Sequence, residues 1–307
     1  MLSHVALTLM LATVVAGQAL AQTNPLWREE KIKGFLPHMT WPEVRELLSR
    51  TDMVLIPVPS IEQHGPQTPM GTDYYAGVEQ AKLIAQRTDV LVAPVLLAGQ
   101  SPYHMDFPGT ITLSSQTIQQ VYFEAAQSLI HHGFRRFLFL NSHAGNQSIT
   151  RFVVDRINQE TPAIAVDLGD GIDAMTRAAT PQAPTRTERF DRHGGVGETA
   201  RAMYLFPSLV QIDKAQQVTL TLPPDLARML PEVVQGDAAA TLVFLAEGLK
   251  PTGTGKHTSA AEMSATGVWS ERDPREATAE QGRRATETFV DAAVRFIERW
   301  KALRPSP

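Results

Sequence analysis

The chain has 307 residues, 43% of them hydrophobic and 20% charged, the balance of an ordinary soluble globular protein. A net charge of -4, with no basic stripe interleaved with aromatics, argues against a nucleic-acid partner. There is no cysteine, which excludes disulfides, thiolate metal ligands, a thiol nucleophile and lipid attachment at a cysteine.

Residues 1–21 read as a secretory signal. Val5 to Ala16 is an apolar core, and Ala19-Leu20-Ala21 fits the small-x-small cleavage pattern before Gln22, although His4 replaces the usual lysine or arginine. The stretch is short for a membrane span and is interrupted at Gly17 and Gln18; a membrane anchor is the alternative. The expectation is a secreted or periplasmic protein, cut after about Ala21, with no stable membrane insertion afterwards and one domain over 22–307.

Thr40-Trp41-Pro42-Glu43 reads as a helix start, with Thr40 as N-cap, Pro42 in the first turn and Glu43 at the third helical position. Strands are predicted over Val54–Val58, Val90–Leu97, Phe134–Leu140 and Ala163–Leu168. Between them, Tyr75–Arg87, Ser115–His132 and Gln147–Gln159 carry helical patterns. This alternation predicts an α/β fold, a three-layer α/β/α sandwich around a mostly parallel sheet. Residues 170–192 show no periodicity and read as a lid, a binding loop or a linker. Helices resume over Gly197–Phe206, Ala238–Glu247 and Ala277–Ala302, with Thr252–Arg275 as a Gly/Ser/Thr-rich connection.

Parallel sheets bind ligands at the carboxyl ends of their strands. Glu62 and His64 follow the first strand, and Asn141-Ser142-His143-Ala144-Gly145-Asn146 follows the third, so both clusters belong on one edge. On an extended backbone, residues at i and i+2 project the same way, and Asp73 can return to them after a turn marked by Pro66, Pro69 and Gly71. Imidazole mixed with carboxylate suits Zn, Mn or Fe(II). Further on, Asp191 to Thr199 sets His193 before two glycines and Glu198 in the first turn of a helix. Singly, these are polar loop residues, and Glu198 simply favours the helix dipole; together they indicate a metal centre.

The ordered set Glu62-Gln63-His64-Gly65-Pro66, Thr72-Asp73, Asn141 to Asn146 and His193 to Thr199 resembles the creatininase (creatinine amidohydrolase) family. Phe107 to Leu113 and Ala265 to Trp269 are also similar to family segments, and the likeness runs from about Thr40 to about Gly282. It implies one α/β/α domain, one or two divalent ions (Zn, with Mn or Fe(II) as options), a small-molecule amide substrate, and a homo-oligomer, often a hexamer. It also implies that Glu62, Asp73 and His143 ligate one metal, while His64 and Asp73 ligate the second, Asp73 bridging. In creatininase a glutamate two residues after the motif histidine completes the second site; here that position is Gly145, and the resemblance gives Glu198 that role. His193 matches a histidine that handles protons and substrate.

One departure bears on specificity. Creatininase closes over its substrate with tryptophans from between its histidine motifs, whereas this chain has none between Trp41 and Trp269, and Ala144 replaces a tyrosine. The expected activity is therefore hydrolysis of a non-peptide C–N bond, a cyclic amide or formamide, other than creatinine. A metal would lower the pKa of bound water and polarise the carbonyl, with His193 passing a proton to the departing nitrogen and Glu198 or Glu62 as the alternative base. His104, Ala144 and Gly145 are candidate substrate contacts. His131-His132 reads as a helix-end pair, and His257 as a distant candidate. The rival readings are a catalytically silent periplasmic metal- or ligand-binding protein and a peptide-trimming metallohydrolase.

Overall fold

The computed structural model describes residue 24 and residues 29–179, 190–248 and 260–304. The signal-like segment, its cleavage point and His257 lie outside the described residues. The chain divides into residues 1–31 and a second unit, Ile32–Pro307, which carries the fold. The second unit opens with α1 (Trp41–Leu48), where the Glu43 carboxylate accepts from the Thr40 backbone N–H at 2.7 Å and from its hydroxyl at 2.9 Å. The sequence places that cap correctly.

Strands β1 (Met53–Val58), β2 (Leu91–Val92), β3 (Arg136–Asn141) and β4 (Ile164–Asp167) form one parallel sheet in the order β2-β1-β3-β4. Their apolar runs suit a sheet covered on both sides. Val54, Ile56 and Val58 of β1, with Phe137 and Phe139 of β3, face α3 (Ser115–His132) and α4 (Gln147–Glu160). The alternate residues Met53, Leu55, Leu138 and Leu140 face α2 (Thr72–Thr88), α5 (Leu168–Ala179) and the long α10 (Ala279–Leu303). This period-two division gives the three layers expected from the sequence. Val58 of β1 pairs with Asn141 of β3, so the segments that follow both strands leave from the same edge.

Several elements differ from the sequence expectation. The second strand shrinks to Leu91–Val92, because Pro94 has no N–H to give a ladder. Residues 170–179, expected to begin an irregular stretch, lie in α5 instead, and Leu168, expected to end the fourth strand, opens it: the Asp167 carboxylate accepts the Asp170 N–H at 3.1 Å and starts the helix. Residues 180–189 of that stretch lie outside the described set. The helix after Gly71 begins at Thr72, which puts Asp73 in its first turn.

The second half adds α6 (Val196–Leu205), α7 (Pro224–Gln235), α8 (Ala238–Gly248) and the short α9 (Ala260–Met263). Pattern reading passes over α7 because it carries Pro224 and Pro231, yet the first sits where a proline is tolerated. A small separate core of Phe190, Leu226, Val233, Phe244, Met263 and Trp269 holds this region together. Helix α6 lies against α10 at Gly282, where a Cβ would stand 1.9 Å from the Ala200 carbonyl oxygen. Only glycine permits that approach.

Candidate metal centre

Glu62 and His64 leave the edge of the sheet after β1, and Asp73 comes back to them from the first turn of α2. His143 follows β3, His193 lies in the turn before α6, and Glu198 in the first turn of that helix. Glu62 and His64 are each 1% exposed. Three sets of ligand atoms gather within 4.8 Å of one another: Glu62–Asp73–His143, His64–Asp73–Glu198 and Glu62–His64–His193. Asp73 belongs to two of these. Its Oδ2 lies 3.2 Å from His143 Nδ1 and its Oδ1 3.2 Å from His64 Nε2, so one carboxylate looks toward two positions. Ser60 steadies it by donating to Oδ2 at 2.7 Å. Glu198 Oε2 lies 3.7 Å from His64 Nε2 and accepts the Gly194 N–H at 2.7 Å. Gly194 has φ 62 and packs so closely that a Cβ would stand 2.9 Å from the His64 carbonyl, which leaves room for no other residue.

Hydrogen-bond partners assign the imidazole tautomers. His64 Nδ1 donates to the Glu62 carbonyl at 3.2 Å, His143 Nε2 to the Gln100 carbonyl at 3.1 Å, and His193 Nε2 to the Gln63 carbonyl at 2.5 Å. A carbonyl only accepts, so in each ring the other nitrogen faces the cluster. His104 is built the other way. Its Nδ1 accepts from the Gln63 side-chain amide at 2.9 Å, which puts the proton of the neutral ring on Nε2, 3.6 Å from Glu62 Oε1. His104 also stacks on His193, with centroids 4.2 Å apart.

The charges of the cluster shift one another's titration. Burial pulls His64 down, but the carboxylates of Asp73, Glu198 and Glu62 outweigh it and hold the imidazole at about 10. Burial acts likewise on His143, and Glu62 and Asp73 hold it well above the usual range. Glu62 is pushed up by burial but kept at about 2 by His143 and His104, and Asp73 lies well below the usual carboxylate range because of His64 and His143. Burial, with His193 next to it, lowers His104 to about 2. Burial and His64 lower His193 as well.

A divalent cation fits these residues. Glu62 Oε2 is buried with no hydrogen-bond partner among the described residues, a costly state for a carboxylate oxygen unless a cation takes it up. Imidazole nitrogens and carboxylate oxygens are the donors that zinc, manganese and iron(II) accept.

Of the residues singled out by sequence, Glu62, His64, Asp73, His143, His104, Ala144, His193 and Glu198 all border one cavity of about 400 Å³. Gly145 does not line it. Its Cα faces inward on the protein, where a Cβ would stand 2.4 Å from the Gln100 carbonyl and 2.5 Å from His143 Nε2. No glutamate fits at position 145 on this backbone. The sequence reading missed Tyr103 and Arg201, which share the cavity wall, and Gln63, which orients His104. Arg201 lies three residues after Glu198 on one helix, a spacing that places both on one face.

The sequence model of the creatininase family, described as creatinine amidohydrolase, matches residues 37–297. The chain belongs to the creatininase family. It is 30% identical over 265 residues to the mycofactocin precursor peptide peptidase of Mycolicibacterium smegmatis, covering 84% of this chain and 89% of that protein. The creatinine amidohydrolase of Pseudomonas putida is 28% identical over 210 residues, 62% of this chain and 79% of the relative. A crystal structure of creatinine amidohydrolase superposes with a TM-score of 0.62 at 22% identity, covering 90% of this chain and 99% of that one, a likeness of fold. Solved creatininases of similar likeness include a zinc–zinc form and a manganese form. These family relatives are hydrolases.

Proposed function

We propose that this chain is a metal-dependent amidohydrolase that cleaves a non-peptide C–N bond in a small amide, a cyclic amide or a formamide. The observation that carries the reading is the convergence of Glu62, His64, Asp73, His143 and Glu198 around a shared Asp73, with a buried carboxylate oxygen of Glu62 unsatisfied. Glu62, Asp73 and His143 would hold one ion, and His64, Asp73 and Glu198 a second. Such ions supply Lewis acidity, lowering the pKa of a water and polarising an amide carbonyl.

The remaining work falls to the protein. His193 is kept neutral by burial, with Nε2–H tied to the Gln63 carbonyl, so its Nδ1 is free to take up a proton and deliver it to the departing nitrogen. His104 turns its Nε2–H toward the cluster and supplies a donor for a substrate oxygen. The main-chain contacts of His64 and His143 fix ring orientation before any substrate arrives. Leu245, Ala260 and Trp269 close one side of the cavity and limit water there. The zinc–zinc and manganese forms of solved creatininases support zinc as the first choice of ion, with manganese next. The pattern of Val5 to Ala21 supports export, and family likeness supports a homo-oligomer.

A second reading is favoured by one finding. The likeness to a mycofactocin precursor peptide peptidase extends over most of both chains, which supports peptide trimming on the same centre. The test is a screen of zinc-loaded protein against small lactams, formamides and short peptides, each with and without chelator. Chelator-sensitive release of product from lactams or formamides is expected. Turnover of peptides alone establishes the second reading. A full complement of zinc with no turnover of any acylated nitrogen compound overturns both.

A further inference from the structure

Arg201 lines the metal-facing cavity and also a second cavity of about 440 Å³, so it belongs to the wall that the two share. It is half-buried, and among the described residues no hydrogen bond or ion pair engages it. That is an unusual state for a group with five donors and a permanent charge. Among the described residues no carboxylate of either cavity wall is paired with it, Asp167 and Asp173 of the second cavity included. Glu198 accepts from Gly194 and faces His64. Asp191 caps α6, accepting from the Val196 and Gly197 N–H groups at 2.9 and 3.0 Å and from Ser270 at 2.8 Å. Asp170 is paired with Arg151 at 2.6 Å. Three residues separate Glu198 from Arg201, which sets the guanidinium's anchor about 4.5 Å further along the helix axis than a metal-facing carboxylate. An unpaired guanidinium in a cavity of small-molecule size, close to the reacting end, is suited to a planar anion gripped by two parallel N–H donors.

We propose that Arg201 is the anion anchor of the substrate: the amide hydrolysed here carries a carboxylate near the scissile bond, and the guanidinium binds it. This rests on the amidohydrolase reading above and narrows it to acidic amides, such as N-acylated amino acids or half-amides of dicarboxylic acids. Arg201 holds and orients the substrate and takes no part in proton transfer.

The test compares binding of acid and amide pairs by calorimetry, on zinc-loaded wild type, Arg201→Gln and Arg201→Lys. N-acetylglycine against N-acetylglycinamide places the carboxylate on the nitrogen side, and succinamate against succinamide places it on the acyl side. Wild type should favour the acid of at least one pair by about tenfold or more, and the pair that shows it tells which side of the bond the anchor serves. In Arg201→Gln the preference should fall to near one with zinc content and melting temperature unchanged, while Arg201→Lys keeps part of it. Equal affinity for acid and amide in wild type overturns the proposal. So does a preference that survives in Arg201→Gln, since the metal alone would then account for it. Should the acid preference depend on Arg201 while no amide is hydrolysed, the anchor stands and the enzymatic reading fails.

Discussion

The edge of the sheet and the α6 flank build the same cavity by different means. Glu62, His64 and His143 follow two neighbouring parallel strands whose every ladder contact is internal to the core, and Asp73 follows within one turn of a helix packed on that sheet. His193 arrives from the turn before α6, and Glu198 and Arg201 from that helix, which is held by side contacts: Asp191 at its N-terminus and the glycine-sized gap at Gly282. A ligand fixed by the first region depends on the fold itself, whereas a ligand fixed by the second depends on a docking surface that tolerates revision. The contrast puts the residue common to both candidate ion positions in the first region, and one ligand of the second position, with the proposed substrate anchor, in the second.

Breaking each region should show the difference. Asp73→Asn removes the residue common to both candidate ion positions and should abolish turnover and most metal binding while the circular dichroism spectrum stays native. Glu198→Gln should keep about one ion and lose the other by elemental analysis. Equal ion loss in the two variants would erase the distinction between the regions.

A smaller effect concerns protons. His64 is held at about 10 and His143 well above its usual value before an ion enters, so each ring is protonated at neutral pH and must shed that proton to become a ligand. Zinc affinity should therefore rise with pH through the neutral range, by about tenfold per unit for each proton displaced. Calorimetric titration in buffers of different ionisation enthalpy measures the protons released. No release would show the rings to be neutral already.

The smallest effect falls on the flank. Gly282→Ala forces a methyl into the Ala200 carbonyl and should cost about 1–3 kcal/mol of stability. Because the added methyl would press on the Ala200 carbonyl next to Arg201, the variant should weaken acid-substrate binding more than ion retention. A thermal shift with unchanged kinetics would detach Gly282 from the site.

Legibility in the sequence follows the same division. Glu62, His64, Asp73 and His143 stand out because apolar strands end abruptly in short polar turns, and a parallel sheet dictates where those turns lie. Helix α5 was not legible, since its start depends on an aspartate at 167 that reads equally well as a loop residue. Helix α7 was hidden by two prolines, and β2 was overestimated because Val90–Leu97 looks apolar although Pro94 ends its pairing. Gly145 reads as a missing ligand, yet in space it makes room for His143 to reach the Gln100 carbonyl. An arginine one turn past a glutamate reads as a solvated helix face; only the cavity around Arg201 shows otherwise.

Three imidazoles here lean on main-chain oxygens of residues 62, 63 and 100. A point substitution deletes a side chain, never a peptide carbonyl, so the aim of these rings is insulated from drift in the walls around them. Replacing wall residues of the cavity therefore leaves the direction of these three rings unchanged.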